Sequence, residues 1–183
     1  MTATPPSDDR RVGERVSLPA RRGASRLAAV QALYEMEVAG ISAQAAMTEF
    51  LKRRWLMATS LEPDVAPADL VEPDPRLFVL LVEGVSGRRA EIDTLIDAKL
   101  TEGKTVARIE ILLQAILRAG TYELLALGEV PAKAAINEYV EIAHAFYSGP
   151  EPGFVNGILD RLARSLRSAE MEAATHGSAP KAG

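Results

Sequence analysis

Apolar residues recur with a helical period along almost the whole chain, and the repeats break at glycine, proline and serine. Leu27, Val30 and Tyr34 mark one face of a first helix that ends near Gly40. Ser42 is placed to cap a second, which reaches about Met57 with Ala46, Phe50 and Leu56 inward. Pro75 opens a third, which carries Leu77, Leu80 and Leu81 towards Gly84 and Gly87. Ile92, Leu95, Ile96 and Leu100 form a fourth. Ile109, Leu112, Leu113, Ile116, Gly120, Leu124 and Leu127 keep the three-four spacing longest, up to Gly128. Pro131 opens a sixth helix with Ile136, Tyr139, Ile142, Ala143 and Phe146 inward, stopped at Ser148 and Gly149. Phe154, Val155, Ile158, Leu159, Leu162 and Leu166 make the last.

No segment alternates with period two, and no Asn-Gly or Asp-Gly turn separates two apolar runs. The pattern therefore predicts an all-α fold, a compact bundle of about seven helices with short connections between antiparallel neighbours. Residues 1–19 and 169–183 lack the periodicity and read as a basic N-terminal arm and a mobile tail around a helical domain at 20–168. Between Ser60 and Pro75, Pro63, Pro67 and Pro73 mark a conformationally restricted loop.

Composition sharpens this picture in two ways. Cysteine is absent, which removes disulfides, thiolate nucleophiles and cysteine-ligated metals and suits a reducing cytoplasm. The apolar run Leu77–Val82 is far shorter than the roughly 20 residues of a membrane span, so a soluble, unexported protein is expected. The net charge of −4 hides an asymmetry, because residues 1–30 carry six arginines against three acids and the rest of the chain carries −7. A basic end on an acidic body suits contact with nucleic acid, since arginine neutralises phosphates and releases their counterions; a merely solubilising tail is the plain alternative.

Catalytic patterns fail physical checks. Gly103-Lys104-Thr105 resembles the end of a phosphate-binding loop, but Ala98 stands where its first glycine belongs. His144 and His176 are too far apart in sequence to suggest a metal site or a triad. Ser42 lacks the second glycine of a nucleophile elbow. Neither an enzyme nor a cofactor is indicated.

Several motifs in fixed order carry a resemblance. They are Arg21-Arg22 with Arg26, Val30-Gln31-Ala32-Leu33-Tyr34, Ile116-Leu117-Arg118, Tyr122-Glu123-Leu124, Val130-Pro131, Ala135-Ile136-Asn137-Glu138 and Phe154-Val155-Asn156-Gly157-Ile158-Leu159-Asp160. In this order and spacing, over roughly residues 20–166, the chain resembles the NusB family of transcription antitermination factors. The resemblance implies an all-helical bundle of two subdomains. It also implies binding of boxA RNA in nascent ribosomal RNA transcripts, jointly with the small-subunit ribosomal protein NusE, in the antitermination assembly on RNA polymerase.

Arg22 and Arg26, four apart, are expected to share a helix face beside Arg21 and to grip phosphates or stack on unpaired bases. Gln31 and Tyr34 continue that helix as candidates for reading or stacking on a base, with core packing the alternative for Tyr34. Phe154 and Asn156 are further RNA candidates, and Gly157 is a candidate for close helix packing. Gly23 weakens the helix by roughly 0.5–1 kcal/mol, so the helix is expected to begin after it. The other readings are a helical protein-interaction module without RNA, or an accessory to ribosomal RNA methylation; the sequence leaves a homodimer open.

Overall fold

The computed structural model describes residues 17–60, 71–101 and 103–176. They form α1 (Leu18–Ala39), α2 (Ala43–Ser60), α3 (Pro75–Gly87), α4 (Arg89–Asp97), a 3-10 turn at Val106–Arg108, α5 (Ile111–Ala126), α6 (Ala132–Phe146), α7 (Glu151–Leu166) and α8 (Ser168–His176). The all-α class is as the periodicity requires, with one helix more than it predicted. The prolines at 63 and 67 and residues 1–16 of the basic arm lie outside the described residues, as do residues 177–183 and the side chain of Leu56; Ser17, Leu18 and Pro19, expected in the arm, instead cap and open α1.

Local chemistry sets the ends. Ser17 caps α1 by accepting the Ala20 N–H, and Gly40 closes it at φ +63°, where a side chain would be strained. Ser42 caps α2 through the Ala45 N–H, and Asp74 caps α3 ahead of Pro75. The α1 helix runs through Gly23 without a break, contrary to the expectation from helix propensity. Packing against α3, α5 and α6 outweighs the small propensity cost.

The α5 helix is the axis of the molecule. It touches α1, α3, α4, α6 and α7, and every residue from Leu113 to Leu124 is buried. On one side α1, α2 and α3 pack together, and on the other α6, α7 and α8, giving two helical subdomains that share α5. Close approach needs glycine at two places. A Cβ at Gly84 would lie 1.9 Å from the ring of Tyr122, and one at Gly120 would lie 2.9 Å from Leu159. Gly157 has open space around it, so the close-packing role expected there belongs to Gly120.

Leu80 and Phe146, expected inside, face solvent, as does Tyr34, for which the sequence leaves core and surface both open. Each lies where a helix face leaves the core, at a flank of the apolar stripe. Residues expected to form a mobile tail instead make α8. Met171 is buried there, Glu170 accepts the Ala132 N–H at 2.6 Å, and Arg167 donates to the carbonyls of Glu123, Leu124, Leu127 and Val130. A single arginine thus satisfies the end of α5 and the turn into α6.

Candidate nucleic-acid interface

The start of α3 is zipped onto the first turns of α1. The Asp74 N–H donates to Arg21 O, the Ser25 hydroxyl shares its one proton between the Asp74 and Arg21 carbonyls, and Arg21 Nε donates to Glu72 O at 3.2 Å. Beside this seam lies a cleft of about 510 Å³ between α1, α3 and the turn from α5 to α6. Arg22, Asp74, Arg76, Leu77 and Glu129 are among its walls. Arg22 is half-buried, its Nε shielded from solvent with no hydrogen-bond partner among the described residues. Its terminal nitrogen stands 3.7 Å from Glu129, whose side chain is 87% exposed.

Arg26 does not share that outlook. It is 3% exposed, and its Nε and one terminal nitrogen donate to both carboxylate oxygens of Glu123 at 3.0 and 2.6 Å. The other nitrogen donates to Glu138 at 3.1 Å, and the Tyr139 hydroxyl donates to Glu123 at 2.8 Å. Burial works against the charge of Arg26. The hydrogen bonds to Glu123, followed by the charges of Glu123, Tyr139 and Glu138, outweigh it and raise the guanidinium above its ordinary range. Burial, then the Glu123 charge and the hydrogen bond to it, likewise push the Tyr139 phenol well above its usual value. The expected face shared by Arg22 and Arg26 is corrected: Arg26 turns inward to balance a buried carboxylate, and only Arg21 and Arg22 remain at the surface.

Gln31 and Tyr34 line a second groove of about 500 Å³, with Phe50, Arg53, Leu112 and Phe146. Tyr34, 38% exposed, is free to stack there, which answers its choice between core and surface. Arg53 in this groove is held by Glu35 at 2.7 Å and Glu49 at 3.2 Å. Phe154 and Asn156 line neither the cleft nor this groove. Phe154 packs half-buried against the core, and Asn156 is exposed on α7. The seven candidate residues therefore fall into five places: Arg21 at the seam, Arg22 in the cleft, Arg26 in the core, Gln31 and Tyr34 in the groove, and Phe154 and Asn156 on α7.

A model of the NusB family matches residues 23–164. The chain is 44% identical over 151 residues to the transcription antitermination protein NusB of Bradyrhizobium sp. strain BTAi1, covering 82% of this chain and 86% of that one. This chain belongs to the NusB family. Its fold also superimposes on a crystal structure of NusB from T. maritima with a TM-score of 0.66, 26% identity, and coverage of 82% and 96%. NusB in a complex of the antitermination factors NusB and NusE with double-stranded RNA shares the fold at 20% identity, with a TM-score of 0.62 and coverage of 81% and 99%.

The motifs that resemble NusB proteins are in large part structural in this chain. Glu123 pairs with Arg26 in the core, Glu138 reaches Arg26 from the half-exposed side, and Arg118 forms a two-pronged pair with Asp93 at 2.7 and 3.0 Å. In this NusB-family chain three charged cleft residues, Asp74, Arg76 and Glu129, belong to no motif. Only the tertiary seam between α1 and α3 brings Arg76 to Arg22. No group of three or more His, Asp or Glu among the described residues is placed to hold a metal ion.

Proposed function

We propose that this protein is a transcription antitermination factor that binds boxA RNA of nascent ribosomal RNA transcripts together with ribosomal protein NusE in the cytoplasm. The observation that carries this reading is membership of the NusB family across nearly the whole helical domain. The fold shared with NusB in a complex with NusE and RNA is consistent with it. Within this reading, Arg21 and Arg22 meet the RNA backbone, while Gln31, Tyr34, Phe154 and Asn156 offer stacking and amide contacts on separate faces. Arg26 supports the site from inside the core. The work is cooperative binding: a few phosphate contacts give modest, salt-sensitive affinity, and a partner that touches both protein and RNA raises it by linkage.

The test is RNA affinity with and without NusE at two salt concentrations, for wild type and Arg21→Ala/Arg22→Ala. We expect NusE to tighten binding and the double variant to lose both affinity and salt slope. A double variant that includes Arg26 would instead read out folding. The burial of Arg26 and the pairing of Arg22 with Glu129 reduce the free basic charge, and this favours the second reading, a protein-interaction module without RNA. Absence of RNA binding in both conditions would select that reading.

A further inference from the structure

We propose that the cleft between α1, α3 and the α5–α6 turn holds an RNA phosphate between Arg22 and Arg76, and that Glu129 is a carboxylate displaced from Arg22 when the phosphate enters. The inference rests on the RNA-binding reading and gives it a geometry. The two arginines come from different helices, yet the hydrogen bonds of Asp74 and Ser25 to the backbone around Arg21 lock those helices together. They therefore line one wall system without any ordering step on binding. A volume of about 510 Å³ falls in the range of ligand sites and admits a nucleotide-sized group.

The charges of the cleft separate into fixed and free. Glu123 is buried and consumed by Arg26 and Tyr139. Asp74 is occupied in capping α3 through the Arg76 N–H at 2.9 Å. Arg76 is exposed, and its guanidinium has no ion-pair partner among the described residues. Arg22 has an unsatisfied, shielded Nε and one long contact to Glu129. That leaves two cations underused and one acid, Glu129, whose side chain is largely in water. A pair at 3.7 Å with so exposed a carboxylate is weak, whereas a phosphate offers oxygens to both forks at once. Arg76 thus takes the place that the sequence spacing had assigned to Arg26.

The experiment uses the full chain with NusE and a fluorescent single-stranded boxA-like RNA, titrated at several salt concentrations. Arg76→Gln should weaken binding roughly three- to tenfold and reduce the slope of log affinity on log salt by about 0.7, the value for one single-strand phosphate contact. Glu129→Gln should tighten binding by up to about fivefold, and the gain should vanish in an Arg22→Gln background. If wild type binds RNA with a salt slope but Arg76→Gln changes neither affinity nor slope, the phosphate site is overturned and the RNA-binding function stands. A Glu129→Gln gain that persists without Arg22 overturns the displacement step, because it then reflects only the overall field. If wild type binds no RNA even with NusE, the functional reading falls first and this one with it.

Discussion

At the scale of single residues, Arg26 shows how an arginine in a basic segment becomes a core residue. Glu123 has no route to solvent, and an unpaired buried carboxylate is costly, so the guanidinium is recruited across from α1. Arg26→Met should destabilise the fold by about 3–5 kcal/mol, and Arg26→Met/Glu123→Leu should recover part of that loss. Urea unfolding of the two variants and of Glu123→Leu completes the cycle. Additive losses would show that the pair is uncoupled. Tyr139 supplies a pH signature. Its folded pKa is raised, so its contribution is complete below the ordinary tyrosine value near 10 and declines as pH rises above it. Tyr139→Phe is expected to cost roughly 1.5–3 kcal/mol near neutral pH and to flatten the alkaline loss of stability. Denaturant midpoints near neutrality and at about pH 10.5 test both.

At the scale of elements, contacts between helices settle what periodicity alone left loose. The glycine at 84 lets α3 lie against Tyr122 of α5, where a methyl group would collide with the ring. Gly84→Ala should lower stability by about 1–2 kcal/mol, the overpacking cost less the gain in helix propensity; an unchanged thermal midpoint would contradict this contact. Arg167 does comparable work at the other end. Without it, the end of α5 and the turn that carries Glu129 lose four hydrogen bonds. Arg167→Ala should therefore raise amide exchange at residues 127–132 first, while α1–α3 keep their protection. Uniform loss throughout would mean that the turn is no separate unit.

At the scale of the whole molecule, charge is distributed more finely than the net value of −4 suggests. The acidic total belongs to the surface at large, while the cleft has Arg22 and Arg76 within reach of one group. Three more arginines, at 10, 11 and 15, precede the described residues. Removing residues 1–16 should leave the thermal midpoint unchanged and reduce the RNA salt slope by up to about 2 if all three contact phosphates. An unchanged slope would limit the RNA grip to the folded domain. The exposed groove at Tyr34 and Phe146 shares no lining residue with the cleft.

The helical class, most helix ends and the family were legible in the sequence because they depend on local signals: a 3.6-residue period, capping residues, and motifs in fixed order. Ser42, Pro75 and Gly40 act within one turn of where they stand, and the chain folds there as they dictate. Which arginine faces outward was not legible. Arg22 and Arg26 are equivalent by spacing, and only Glu123, nearly a hundred positions away, distinguishes them by requiring a buried counter-charge. The eighth helix was missed for the same reason. Its residues have little apolar periodicity, and it is held by Met171, Glu170 and the neighbouring Arg167 reaching back to α5 and α6. Burial, pairing and the company of Arg76 are properties of chain segments brought together, so tertiary structure decided the site while local sequence decided the helices from which it is built.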